Sequence, residues 1–111
     1  MSDSFLQRLS AAVDNEAARD IRAQRAAEMI REARGYRWVG IYDVGDEEIS
    51  IVGSTGAPPR GRPSYSVPIL GAESGVVIGT LDMESDRIEA FSDADARFLE
   101  ECAETLRPLY D

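Results

Sequence analysis

Apolar residues between positions 4 and 34 recur at three- and four-residue spacing, the period of an amphipathic helix. The stretch is rich in Ala, Arg and Glu and holds neither Gly nor Pro. Ser4 and Gln7 fit a capping box at its start, and Gly35 is a natural stop. The apolar stripe is not straight. Phe5, Leu6, Leu9, Ala12 and Val13 share one face, while Ala26, Met29, Ile30 and Ala33 share another. At ~100° per residue the two stripes are offset by roughly a quarter turn. The offset predicts that one half packs on the body of the domain and the other faces something else, with a break near Asp14-Asn15 as the alternative.

From residue 36 the period changes to two. Val39 and Ile41 alternate with Trp38, Gly40 and Tyr42, and Gly45-Asp46 turns the chain into Ile49, Ser50 and Ile51, a hairpin over 36–53. A Pro-, Gly- and Arg-rich linker follows at 54–63, reading S-T-G-A-P-P-R-G-R-P. A second hairpin spans 64–85. In it Tyr65, Val67 and Ile69 alternate with Ser66, Pro68 and Leu70, and Pro68, lacking an N–H, marks an edge strand. Val76 to Met83 is nearly continuously apolar and reads as a central strand. Ser92 and Asp95 cap a last helix over 92–107, which Pro108 brings towards its end. Pairing the two central strands predicts one α+β domain over 1–111, a two-layer sandwich with a four-stranded antiparallel sheet of order 2-1-4-3. Both terminal helices lie on one face, and the other face is left without a layer from this chain.

Composition narrows the chemistry. A length of 111 residues fits a single domain, and 43% hydrophobic with 30% charged residues is ordinary for a globular protein. The net charge of -9 argues against nucleic-acid partners, which draw on clustered positive charge. No apolar run approaches the ~20 residues of a membrane span, and the N-terminus lacks the pattern of a signal peptide, so a cytoplasmic protein without membrane contact is expected. All twelve basic residues are Arg, a pattern that coding bias explains, and only Arg60 and Arg62 are close together in sequence. There is no His and one Cys, which removes Cys-His metal sites, disulfides within the chain and the commonest general base. Cys102 falls on the apolar stripe of Phe98, Leu99, Ala103 and Leu106, beside Glu100, Glu101 and Glu104, and reads as packing. The carboxylates of Asp46-Glu47-Glu48 and of Asp82 and Glu84 read as solvated charge. No P-loop, G-x-G-x-x-G or Ser-His pair is present, and neither a metal nor a cofactor is expected.

Two segments carry a family resemblance. Ala27 to Val44, ending in R-G-Y-R-W-V-G-I-Y-D-V, resembles the first helix and strand of a GAF domain. Its Trp38-Val-Gly-Ile-Tyr42 is similar to the free-methionine-(R)-sulfoxide reductase branch of that family. Gly79-Thr-Leu-Asp-Met-Glu-Ser85, followed by Phe91-Ser-Asp-Ala-Asp, resembles the closing segment of GAF domains. The resemblance covers about residues 20 to 108 and implies a minimal GAF/PAS-like sandwich. In that family a long middle section covers one sheet face and makes the ligand pocket, whereas here the ten residues of the linker stand in its place.

Three functions follow as expectations. The resemblance implies a set of cysteines for sulfoxide reduction, and with Cys102 alone the chain is expected not to be an enzyme. As a small-molecule sensor, it would use Trp38, Tyr42 and Tyr65 as an aromatic shelf, with Arg60 and Arg62 as an anion clamp. The favoured expectation is a non-catalytic interaction module that lacks a full pocket and works by self-association or by binding a protein partner. A C2 homodimer is expected, with Phe5, Leu6, Leu9 and Val13 in its interface and Trp38 partly shielded by the Pro58-Pro59 loop or a partner.

Overall fold

The structure, a computed structural model, describes residues 3–56, 64–86 and 91–111. The N-terminal helical segment is two helices, α1 (Asp3–Val13) and α2 (Arg19–Arg34). Asn15 makes the break. Its amide Nδ2 donates to the carbonyls of Ala11 (2.8 Å) and Ala12 (3.0 Å), and its Oδ1 accepts from the Ala17 N–H at 2.8 Å. The last carbonyls of a helix have no partner within it, and a side-chain amide that satisfies them competes with helix continuation. Arg22 completes the corner, donating from Nη1 to the Val13 carbonyl at 2.6 Å and from Nε to the Ala17 carbonyl at 2.9 Å.

The break answers the offset of the two stripes. Folded back on α2 and α3, α1 turns its apolar face into the chain's own core, where Leu9 and Val13 are fully buried and Phe5 and Leu6 are partly buried. Of the stripe expected at a dimer interface, Leu9 and Val13 are therefore spent inside the protomer, and Phe5 and Leu6 are spent there only in part. Leu9→Asp would strike the core rather than report on a partner.

Strands β1 (Trp38–Val44), β2 (Ile49–Ser54), β3 (Ser64–Leu70) and β4 (Val77–Glu84) form an antiparallel sheet in the order β2-β1-β4-β3, as the sequence predicts. Pro68 lies on the edge strand β3. Helix α2 ends at Gly35, whose φ of 68° places it in the left-handed region that glycine adopts without strain. Helix α3 (Asp93–Thr105) starts at the Ser92–Asp95 capping box, and a short 3-10 turn, Arg107–Tyr110, follows it.

Helices α2 and α3 cover one sheet face, and α1 packs against both of them. Val39 and Ile41 of β1, Val67 and Ile69 of β3 and Leu81 and Met83 of β4 pack there against Ala23, Ala26, Ala27 and Ile30 of α2 and Leu99, Cys102 and Ala103 of α3. Small residues let α2 come close. A β-carbon at Gly53 of β2 would stand 2.7 Å from the backbone of Ala23 and Gln24, so only glycine fits beneath the helix there. Arg19, at the start of α2, grips Asp43 of β1 through two hydrogen bonds of 2.5 and 2.9 Å and donates from Nε to the Leu109 carbonyl at 2.6 Å. One guanidinium thus ties the second helix, the first strand and the C-terminal turn together.

Candidate functional site

In an antiparallel pair, residues directly opposite one another share a face. The register therefore assigns the side of the sheet away from the helices. Trp38 lies opposite Glu84, Gly40 opposite Asp82, and Tyr42 opposite Thr80 on one side and Ile51 on the other, with Val44 opposite Ile49. On β3, Ser66 and Pro68 face Asp82 and Thr80. This is the face the sequence leaves without a covering layer.

Its centre is filled by its own aromatics. The Trp38 indole lies across Gly40, where a β-carbon would come within 2.5 Å of two ring carbons and 3.2 Å of the Tyr42 ring. The Trp38 and Tyr42 centroids are 6.4 Å apart, tilted at 54°. Trp38 is only 3% exposed although it stands outside the helix-side core. The expected partial shielding is exceeded, while the Pro58-Pro59 loop lies outside the described residues.

Tyr65 is not part of this shelf. Its partner across the sheet is Met83, so it belongs to the helix face, and its ring stacks on Phe91 at 5.0 Å and 12°. Phe91 in turn stacks on Tyr36 at 5.7 Å. Of the five expected ligand contacts, Trp38 and Tyr42 are together and Tyr65 is on the opposite side. Arg60 and Arg62 lie outside the described residues.

Both carboxylates of the face, Asp82 and Glu84, are engaged. The Ser66 hydroxyl donates to Asp82 Oδ1 at 2.6 Å. Burial, helped by the Asp82 charge, raises the Tyr42 phenol above its ordinary pKa and keeps it neutral. Glu84, expected to be solvated, is fully buried: its Oε1 sits 3.5 Å from Arg37 Nε, and its carbonyl accepts the Arg37 N–H at 2.8 Å. Arg37 also reaches Asp86 at 3.7 Å. A carboxylate is buried only when paired, and Arg37, one residue before β1, is the partner that alternation along β4 could not reveal.

The face is exposed at both edges, through Ser66 and Pro68 on β3 and, with larger apolar side chains, on β2. Ile49 and Ile51 are 65% and 56% exposed beside Tyr42 and Val44. The signal was present in the turn, since a hairpin pairing Val44 with Ile49 puts both isoleucines on the Tyr42 side. Cys102 is elsewhere, buried in α3 on the helix side, its thiol pushed up to about 12 by desolvation and by Glu101, with Arg34 acting the other way. Among the described residues no group of His, Cys, Asp and Glu converges as a metal site, and no helix is long and apolar enough to cross a membrane.

No family model matches the chain, and no curated protein matches it. Solved structures do. The GAF domain of a phosphoenolpyruvate-protein phosphotransferase from Acinetobacter superposes with a TM-score of 0.81 at 13% identity, covering 98% of this chain and 92% of that one. The free methionine-R-sulfoxide reductase of Neisseria meningitidis, solved with its substrate, gives 0.78 at 22% identity, covering 96% and 86%. The fRMsr of Staphylococcus aureus, also with substrate, gives 0.73 at 16% identity, covering 95% and 93%. At such identities the likeness is one of fold, and it agrees with the strand order, the helical layer and the two segments that carry the sequence resemblance: this chain has a GAF-like fold.

Proposed function

We propose that the protein is a non-catalytic GAF-like module that acts by binding other protein surfaces through its sheet. The observation that carries this reading is the Trp38 indole lying across Gly40 beside Tyr42. The chain's own rings take up the middle of the face where a small molecule would bind. Apolar surface remains at the β2 edge, in Ile49 and Ile51, and exposed apolar patches on small proteins mark interfaces. The buried, protonated thiol of Cys102 supports the absence of thiol chemistry, because the thiolate is the nucleophile.

Self-association through the helical layer loses its first motive, since Leu9 and Val13 pack within the protomer. A metabolite sensor remains the second reading. Asp82, on the same face as Trp38, favours it, because a carboxylate there suits a ligand with a cationic group.

Thermal denaturation against a panel of cyclic nucleotides, free methionine sulfoxide and amino acids separates the two. The interaction reading expects no concentration-dependent rise in Tm from any of them. A saturable rise, which mass action requires of any ligand that binds only the folded state, would replace it with the sensor reading.

A further inference from the structure

We infer that the outer edge of β2 accepts an extended, basic segment of another protein as an added strand; this rests on the interaction reading above. Among the described residues β2 pairs with β1 alone and ends the sheet. An unpaired strand edge presents a row of backbone donors and acceptors, a template for another chain. The alternate side chains at this edge are Ile49 and Ile51, both exposed, so an incoming strand gains apolar contact on the Tyr42 face together with main-chain hydrogen bonds.

Charge selects the occupant. Residues 38–56 contain the four carboxylates Asp43, Asp46, Glu47 and Glu48 and no cation. Asp43 is taken by Arg19, whereas Asp46, Glu47 and Glu48 are exposed and form no ion pair among the described residues. The Gly45 N–H donates to the Glu48 carbonyl at 2.9 Å, which closes the turn and holds these three acids at the start of β2. A second copy would bring another chain of net charge -9 to this edge, with like charges raising the cost of approach. The register shift opposite Ile41 and Tyr42 makes Val52 an extra residue in β2, which ends the regular run after Ile51. The usable edge is therefore short, apolar on one side and acidic at its entrance. A segment alternating β-branched residues with Lys or Arg meets all three conditions, its cations reaching Asp46, Glu47 and Glu48.

The test uses the full chain and synthetic eight-residue peptides, alternating Lys with Val, Glu with Val, or Lys with Ser. Backbone amide shifts are followed by NMR. The Lys/Val peptide is expected to shift residues 46–51 saturably, to bind several-fold more weakly at high salt, and to lose about tenfold in affinity in Glu47→Lys/Glu48→Lys. Ile49→Ser/Ile51→Ser should weaken binding similarly, with Tm confirming that both variants fold. Equal binding of the Glu/Val peptide would overturn the charge selection while leaving an interaction edge in place. Shifts confined to other elements, or none from any peptide, would overturn the edge itself; the ligand panel judges the interaction reading separately. Concentration-dependent broadening of 46–51 without peptide would give the edge to a second copy and overturn the inference as well.

Discussion

Trp38 and Gly40 form a lock on the open face of the sheet: the indole rests where residue 40 has no side chain, and a β-carbon there would come within 2.5 Å of its outer ring. Gly40→Ala must therefore lift the ring or bend the strand. Overpacking of this kind costs typically about 1–3 kcal/mol. The expected result is a loss in that range by chemical denaturation, with Trp38 emission moving to the red as the indole is pushed towards solvent. An alanine variant with unchanged stability and emission would show that the ring is not held there.

Asn15 and Arg22 should account for the helix break. Asn15→Ala leaves the Ala11 and Ala12 carbonyls to water and removes the acceptor of the Ala17 N–H. The expected loss is about 1 kcal/mol, the net worth of ordinary hydrogen bonds near a surface. Arg22→Met removes the two bonds to Val13 and Ala17 while keeping most of the apolar stem. Its effect should be similar, and the double variant should fall short of the sum because both side chains secure one corner.

Much of the fold was legible in the sequence because its signals are local. Period-two alternation gave the strands, Pro68 the edge and the Ser92–Asp95 box the start of α3, and the central strands then had one sensible pairing. The helix pair was legible only as the less favoured of two readings. The offset of two stripes is the same whether a straight helix has two partners or a broken one has a single core, and the Asn15 and Arg22 contacts that decide between them bridge the corner in three dimensions. The candidate site was less legible. Assigning Tyr65 to the shelf ignored that its alternation partners Val67 and Ile69 face the helices, so register placed it against Phe91. Glu84 read as solvated because its partner Arg37, just before β1, is far from it in sequence.

Alkaline pH should destabilise the protein through Cys102. Unfolded, the thiol ionises near its ordinary value of 9.0; folded, burial holds it to about 12. Between those values the unfolded state has released a proton that the folded state keeps, so stability is fully present below about pH 9 and is lost as pH rises. The thiol should dominate between pH 9 and 10, before the raised phenols of Tyr42 and Tyr110 contribute, since their ordinary value is 10.0. Denaturant unfolding of Cys102→Ala should show a shallower decline across that interval, whatever its absolute stability.

The same buried thiol predicts no reduction of free methionine sulfoxide. With one cysteine in the chain, a sulfenic acid formed on it has no resolving partner within the protomer. In an assay coupled to thioredoxin and NADPH, the protein and Cys102→Ala should both match the blank. Turnover above the variant would restore an enzyme reading.

Filled by the chain's own rings, the Trp38 face is expected to meet proteins rather than metabolites. Trp38, the one tryptophan, reports on it directly. Its emission, followed through titrations with cAMP, cGMP and free methionine sulfoxide, should start blue of free indole and stay unchanged to millimolar ligand. A saturable quench or shift at micromolar concentration of any of the three would contradict the account.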